Sequence, residues 1–174
     1  MGIAKISQSI LKIVGSYKTH LSTKAEEEFQ LSPPIGGWSY SEVYSHIFDS
    51  SLLSLMALQN CINGEGKPEA TPLGTKAVLF FGMLPPGKKY QVPTRLVERV
   101  KKINIMAAQQ FMLDFELQLA KIYPHINGAD LKIKTKHPRL GYLNAKQWLK
   151  FIEIHLNHHL KQLKRIENSF ELAV

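Results

Sequence analysis

Cysteine is nearly absent from this chain. Cys61 stands alone among 174 residues, so no intrachain disulfide can form and packing must hold the fold. That usage fits a reducing compartment, and a cytoplasmic protein is expected. Long apolar runs are missing too. The longest, residues 77–84 (AVLFFGML), falls far short of the roughly 20 residues that a spanning helix needs. Lys5, Ser7, Ser9 and Lys12 interrupt the N-terminal stretch, unlike a signal-peptide core, and Ile6 stands where N-myristoylation requires Ser or Thr. No membrane partner is expected. Acidic residues are in deficit, 14 against 22 basic, for a net charge of +8. The lysines are dispersed, in pairs such as Lys88-Lys89 and Lys101-Lys102, and form no single stripe, so no nucleic-acid partner is expected. Small molecules that carry carboxylates would be drawn to such a surface.

What is present is helical periodicity. With 44% hydrophobic residues the chain can bury a substantial core, and one domain over residues 1–174 is expected. Ile3, Ile6, Ile10, Val14, Tyr17 and Leu21 recur at helical spacing, predicting a first helix over about 3–30 that stops at the Pro- and Gly-containing stretch 31–37. Ser39 followed by Glu42 is a capping-box pattern, opening a second helix that runs to about Ile62. Residues 63–93 hold five prolines and five glycines, and read as a long crossover with one short helix near 75–83. A third helix is predicted over about 94–122 with Thr94 as its N-cap, and a fourth over about 145–170 behind Asn144. No strand pattern of comparable strength appears. Four long helices joined by a long middle connection predict an all-α four-helix bundle.

Three of the seven histidines crowd into residues 153–162, EIHLNHHLKQ. At about 100° per residue, with His155 at 0°, His159 falls near 40° among Trp148, Ile152 and Ile166, whereas His158 falls near −60°. His155 and His159 therefore share the inward face, one turn apart, and His158 sits at its margin. Two readings stand for the pair: core imidazoles bonded to backbone carbonyls, or two ligands offered to one metal ion. His46 lies on a face of small and apolar residues, Val43, Ser50, Leu53, Ser54, Ala57 and Cys61. It is either a lone core histidine or a third ligand. His20, His125 and His137 are assigned no ligand role. Cys61 lies about four turns beyond His46 and is expected in the core. Asp49 is either a support to His46 or a solvated flank carboxylate. Glu42 is more simply a cap, and Glu153 points away from the pair.

Residues 36–50, GGWSYSEVYSHIFDS, together with residues 137–166, HPRLGYLNAKQWLKFIEIHLNHHLKQLKRI, resemble two segments of the DinB/YfiT-like superfamily: G-x-W-S…H, and H-P-x-L-G…H-x-x-x-H-x-x-Q. The resemblance implies up-down-down-up connectivity, a homodimer, and a divalent metal, zinc or nickel, held by His46, His155 and His159. Gln162 matches the recurring Gln after the pair. His158 stands where that family has Arg or another polar residue. For activity the resemblance implies a thiol S-transferase, with a low-molecular-weight thiol as co-substrate, or a thiol-dependent isomerase. Three imidazoles leave coordination positions open, as catalytic sites do, so a hydrolase acting on a small-molecule substrate through activated water is also expected. The competing class is a bundle that binds a metal or small ligand without turnover. No general base is assigned.

Overall fold

The computed structural model describes residues 2–85 and 99–172. Helix α1 spans Ile3–Ser22, short α2 Glu26–Gln30, α3 Tyr40–Ile62, α4 Leu73–Phe81, α5 Ile105–Ile122 and α6 Ala145–Glu171. A 3-10 turn follows α5 over Tyr123–Gly128. Strands β1, Thr135–His137, and β2, Gly141–Leu143, pair antiparallel just before α6. Among the described residues, no helix is long and apolar enough to cross a membrane.

Side-chain pairs fix the directions of the four long helices. Tyr17 Oη donates to Leu156 O at 2.8 Å and Lys24 meets Glu167 at 3.2 Å, so α1 and α6 run parallel. The Tyr17–Phe48 and His20–Tyr40 ring contacts, at 5.2 and 5.0 Å, make α3 antiparallel to α1. Ser41 bonds Ile103 O while Phe48 meets Phe115, so α5 runs alongside α3 in the same direction. The topology is up-down-down-up, with α3 packed between α5 and α6 and both of these also touching α1. The core is aromatic at its centre. Tyr17, Tyr44, Phe48 and Phe115 are fully buried and meet largely edge to face, the arrangement that ring quadrupoles favour.

Two predicted boundaries differ from the observed ones, and one pair of strands is additional to the expected elements. The first helix breaks at residues 23–25, where Thr23 Oγ1 turns back to His20 O at 2.8 Å. Glu26, Glu27 and Glu28 then occupy the first turn of α2, where the helix dipole favours acid, and Phe29 is delivered into the core against Tyr44. The third helix begins at Ile105, with Asn104 as the N-cap accepting from Ala107 N. Residues 99–104 are not helical, and Thr94 lies outside the described residues. Ile103 keeps its place in the apolar pattern because the non-helical segment inserts it into the core, with Ser41 Oγ bonding both its N–H and its carbonyl. The β1–β2 hairpin was not anticipated. The capping boxes of α3 (Ser39 with Glu42) and α6 (Asn144 with Gln147) are both closed.

The hairpin turn depends on Gly141, whose φ of 73° lies in the left-handed region, and a Cβ there would stand 2.7 Å from Pro72 Cγ. Gly141→Ala is expected to cost about 1–3 kcal/mol, from strained backbone together with displacement of the Pro72 ring. In a thermal melt that is a fall of several degrees, and an unchanged midpoint would mean that the turn relaxes freely.

Candidate metal centre

His46 sits two turns into α3, behind its capping box, and the antiparallel crossing with α6 brings it level with His155 and His159. The ring centroids stand 5.4 Å (His46–His155), 4.9 Å (His46–His159) and 4.7 Å (His155–His159) apart. One nitrogen from each ring lies within 4.8 Å of the others, and Nε2 of His155 and Nε2 of His159 are 3.1 Å apart. Among the described residues this is the one group of His, Cys, Asp or Glu side chains placed to share an ion. Two nitrogens bound to a single zinc at about 2.0–2.1 Å stand roughly 3.4 Å apart in tetrahedral geometry, so the α6 pair is already near a bonding separation.

Electrostatics suit the same purpose. Burial pushes the His46 imidazole down to about 4, against an opposing pull from the Asp49 carboxylate. Burial holds His155 and His159 well below the ordinary imidazole range, and neighbouring imidazoles add to the effect. All three rings are therefore neutral at pH 7 and keep a lone pair for coordination.

The walls are aromatic. Trp38 lies 4.9 Å from His46 and stacks over His159 at 6.4 Å with an interplanar angle of 14°, while Phe151 stacks on His155 at 5.2 Å. Beyond Phe151 lies His137, 4.6 Å from that ring, with Nδ1 accepting the backbone N–H groups of Arg139 and Leu140. It is a hairpin-turn residue whose ring abuts the aromatic wall. His159 Nδ1 meets Gln162 Oε1 at 2.8 Å.

A family model for the DinB superfamily matches residues 16–163, most of the chain. The chain belongs to the DinB superfamily. No curated protein sequence matches it. Solved structures that share the fold of this DinB-superfamily chain include two four-helix bundles. The four-helix bundle protein TT2238 is 16% identical, with a TM-score of 0.53 over 94% of this chain and 99% of its own. YfiT from Bacillus subtilis, described as a probable metal-dependent hydrolase with an unusual four-helix bundle topology, is 13% identical, with a TM-score of 0.58 over 97% of this chain and 87% of its own.

The structure of this DinB-superfamily chain brings His155 and His159, paired by helical geometry, together with His46, the third ligand that the family resemblance implies, and leaves the other four histidines outside the group. His158 is half-buried, 5.1 Å from the His159 ring, but contributes no atom to the cluster. His20 packs against Tyr40 and bonds Tyr44 Oη at 3.0 Å, and His125 lies in the 3-10 turn. Cys61 is buried, with Sγ bonded to Leu143 O, as expected of a core residue. Asp49 is a flank carboxylate held in a two-point pair with Arg99, at 2.6 and 2.7 Å. Glu153 faces Lys150 at 2.6 Å, away from the histidines. An open groove of about 370 Å³, lined by Lys67, Lys134, Lys136 and Tyr142 among others, contains none of the three. Sequence reasoning did not find that Trp38 walls the cluster. Its place immediately before the Ser39 cap was the available signal, because the residue before an N-cap often folds over the first helical turns.

Proposed function

We propose that this chain is a metal-dependent enzyme in which His46, His155 and His159 hold a divalent ion, zinc or nickel, and that it acts on a small electrophilic substrate with water or a low-molecular-weight thiol as the nucleophile. The observation that carries the reading is the convergence of three neutral imidazoles from two helices with no carboxylate among them. When bound, the ion would act as a Lewis acid and lower the pKa of a water or thiol placed next to it. Three protein ligands leave a position open for that group, unlike the closed four-ligand sites that only stabilise a fold. The protein's own contribution is to present three lone pairs and to exclude bulk water with Trp38 and Phe151. The description of YfiT as a probable metal-dependent hydrolase supports the water version.

The test is turnover by protein loaded with zinc or with nickel. Ester and amide hydrolysis are assayed alongside conjugation of monochlorobimane with bacillithiol, mycothiol and glutathione. Product formation that needs the metal and is lost in His46→Ala is expected in one of the two assays. A loaded protein inactive in both would favour a bundle that binds a metal or ligand without turnover.

A further inference from the structure

Gln162 follows His159 by three residues on α6, so its amide reaches back along the helix to the far side of the His159 ring. The atom facing His159 Nδ1 is the carbonyl oxygen Oε1, which can only accept a hydrogen bond. The Nδ1 of a neutral His159 therefore carries the ring's single proton, and its Nε2 carries a lone pair. That Nε2 lies 3.1 Å from Nε2 of His155. A hydrogen bond between two ring nitrogens needs one proton between them. His159 has already placed its proton on the opposite side, so His155 donates from Nε2.

We infer that Gln162 is a positioning residue that sets the proton arrangement of the histidine pair. It holds the neutral His159 in the Nδ1–H form, with its lone pair directed at the centre of the cluster. This rests on the metal reading above and deepens it. Coordination by both Nε2 atoms then requires a change in one ring only: the His155 proton moves from Nε2 to Nδ1, with no net gain or loss of protons. Were the amide reversed, its NH2 would donate to His159 Nδ1 and force the His159 proton onto Nε2, where it would block a ligand position. Trp38, stacked over His159, and His158, whose ring stands edge-on 5.1 Å away, limit rotation of the ring away from this arrangement. A side chain that merely filled this space would not set the tautomer, because only an acceptor here keeps the proton on Nδ1.

Two variants decide the matter. Gln162→Met keeps the length and removes the acceptor, whereas Gln162→Glu keeps an acceptor and strengthens it. Ring nitrogen chemical shifts of 15N-histidine-labelled, metal-free protein at pH 7 report the tautomer directly. The expected result is a His159 signal of the Nδ1–H type in the unsubstituted and Glu proteins, and a mixed signal in the Met protein. Zinc affinity, read by competition with a chromophoric chelator, is expected to fall by about 10–100-fold in Gln162→Met, and to stay within tenfold or rise in Gln162→Glu, with melting temperatures of the metal-free proteins unchanged. An unsubstituted protein with the His159 proton on Nε2 would overturn the inference, as would a Met variant with unaltered shifts and affinity within twofold. If the unsubstituted protein takes up no zinc, the metal reading fails, and the nitrogen shifts alone still support or overturn the tautomer assignment.

Discussion

His155→Ala is expected to reduce zinc affinity by at least a hundredfold, whereas His158→Ala leaves it within about threefold. The two residues are neighbours on α6, and both are aromatic bases of the same type, so composition does not distinguish them. Geometry does. His155 Nε2 stands 3.1 Å from His159 Nε2, and its ring is 5.4 Å from His46, whereas His158 contributes no atom to the cluster. Losing one of three proposed ligands is a larger change than losing a group that supports a ligand, which itself typically costs 10–100-fold. Competition titration against a chelator, together with metal analysis of the purified proteins, measures both variants. Equal losses in the two would mean that the face of α6 is assigned wrongly. Stoichiometric metal retained in both His46→Ala and His155→Ala would remove the three-histidine assignment altogether.

The second large effect is acid destabilisation of the metal-free protein well above the pH at which carboxylates titrate. His46 and His137 are both lowered from 6.5 to about 4 in the folded state, His46 by burial and His137 by burial and the nearby Arg139 charge. The unfolded chain binds protons at these groups first. Their contribution to stability is therefore fully present above about pH 6.5 and is lost progressively as the pH falls towards 4. Every tenfold loss of proton affinity on folding corresponds to about 1.4 kcal/mol per group, and after a discount for partial solvent access the two together amount to roughly 3–5 kcal/mol. His155 and His159, also lowered, act in the same direction. Urea midpoints at half-unit steps from pH 7.5 to 4.5, in the presence of a chelator, should fall steadily below pH 6.5. A flat profile down to pH 5 would contradict the burial of these imidazoles. Saturating zinc should raise the stability at pH 7, by about 4 kcal/mol at a thousand times its dissociation constant, and the increment should shrink as protons compete for the same nitrogens.

The boundaries misread from sequence share one cause. Val100 and Ile103 continue the apolar period of α5, so periodicity extends that helix backwards past its true start. What ends it is the backbone of Ile103, whose N–H and carbonyl are both bonded by Ser41 from another helix. The break at residues 23–25 has the same character. Phe29 reaches Tyr44 only if the chain turns there, a gain visible only once α3 is in place. The hairpin before α6 was missed because two three-residue strands carry too little alternation to register, and their pairing relies on a glycine wedged against Pro72.

The sequence by itself determined the helical class, the two capping boxes, and the inward direction of His155 and His159. Each of these follows from interactions within a few residues, where a fixed rotation per residue converts spacing into direction. Tertiary structure decided the rest. It alone places His46 opposite the pair, because the meeting depends on α3 and α6 crossing antiparallel at one level, tied through Tyr17 of α1, which packs on Phe48 of α3 and donates to Leu156 O of α6. It alone assigns Trp38 and Phe151 to the walls of the cluster that results. Spacing along one helix can put two nitrogens on a common face, but only the packing of separate helices brings a third to them.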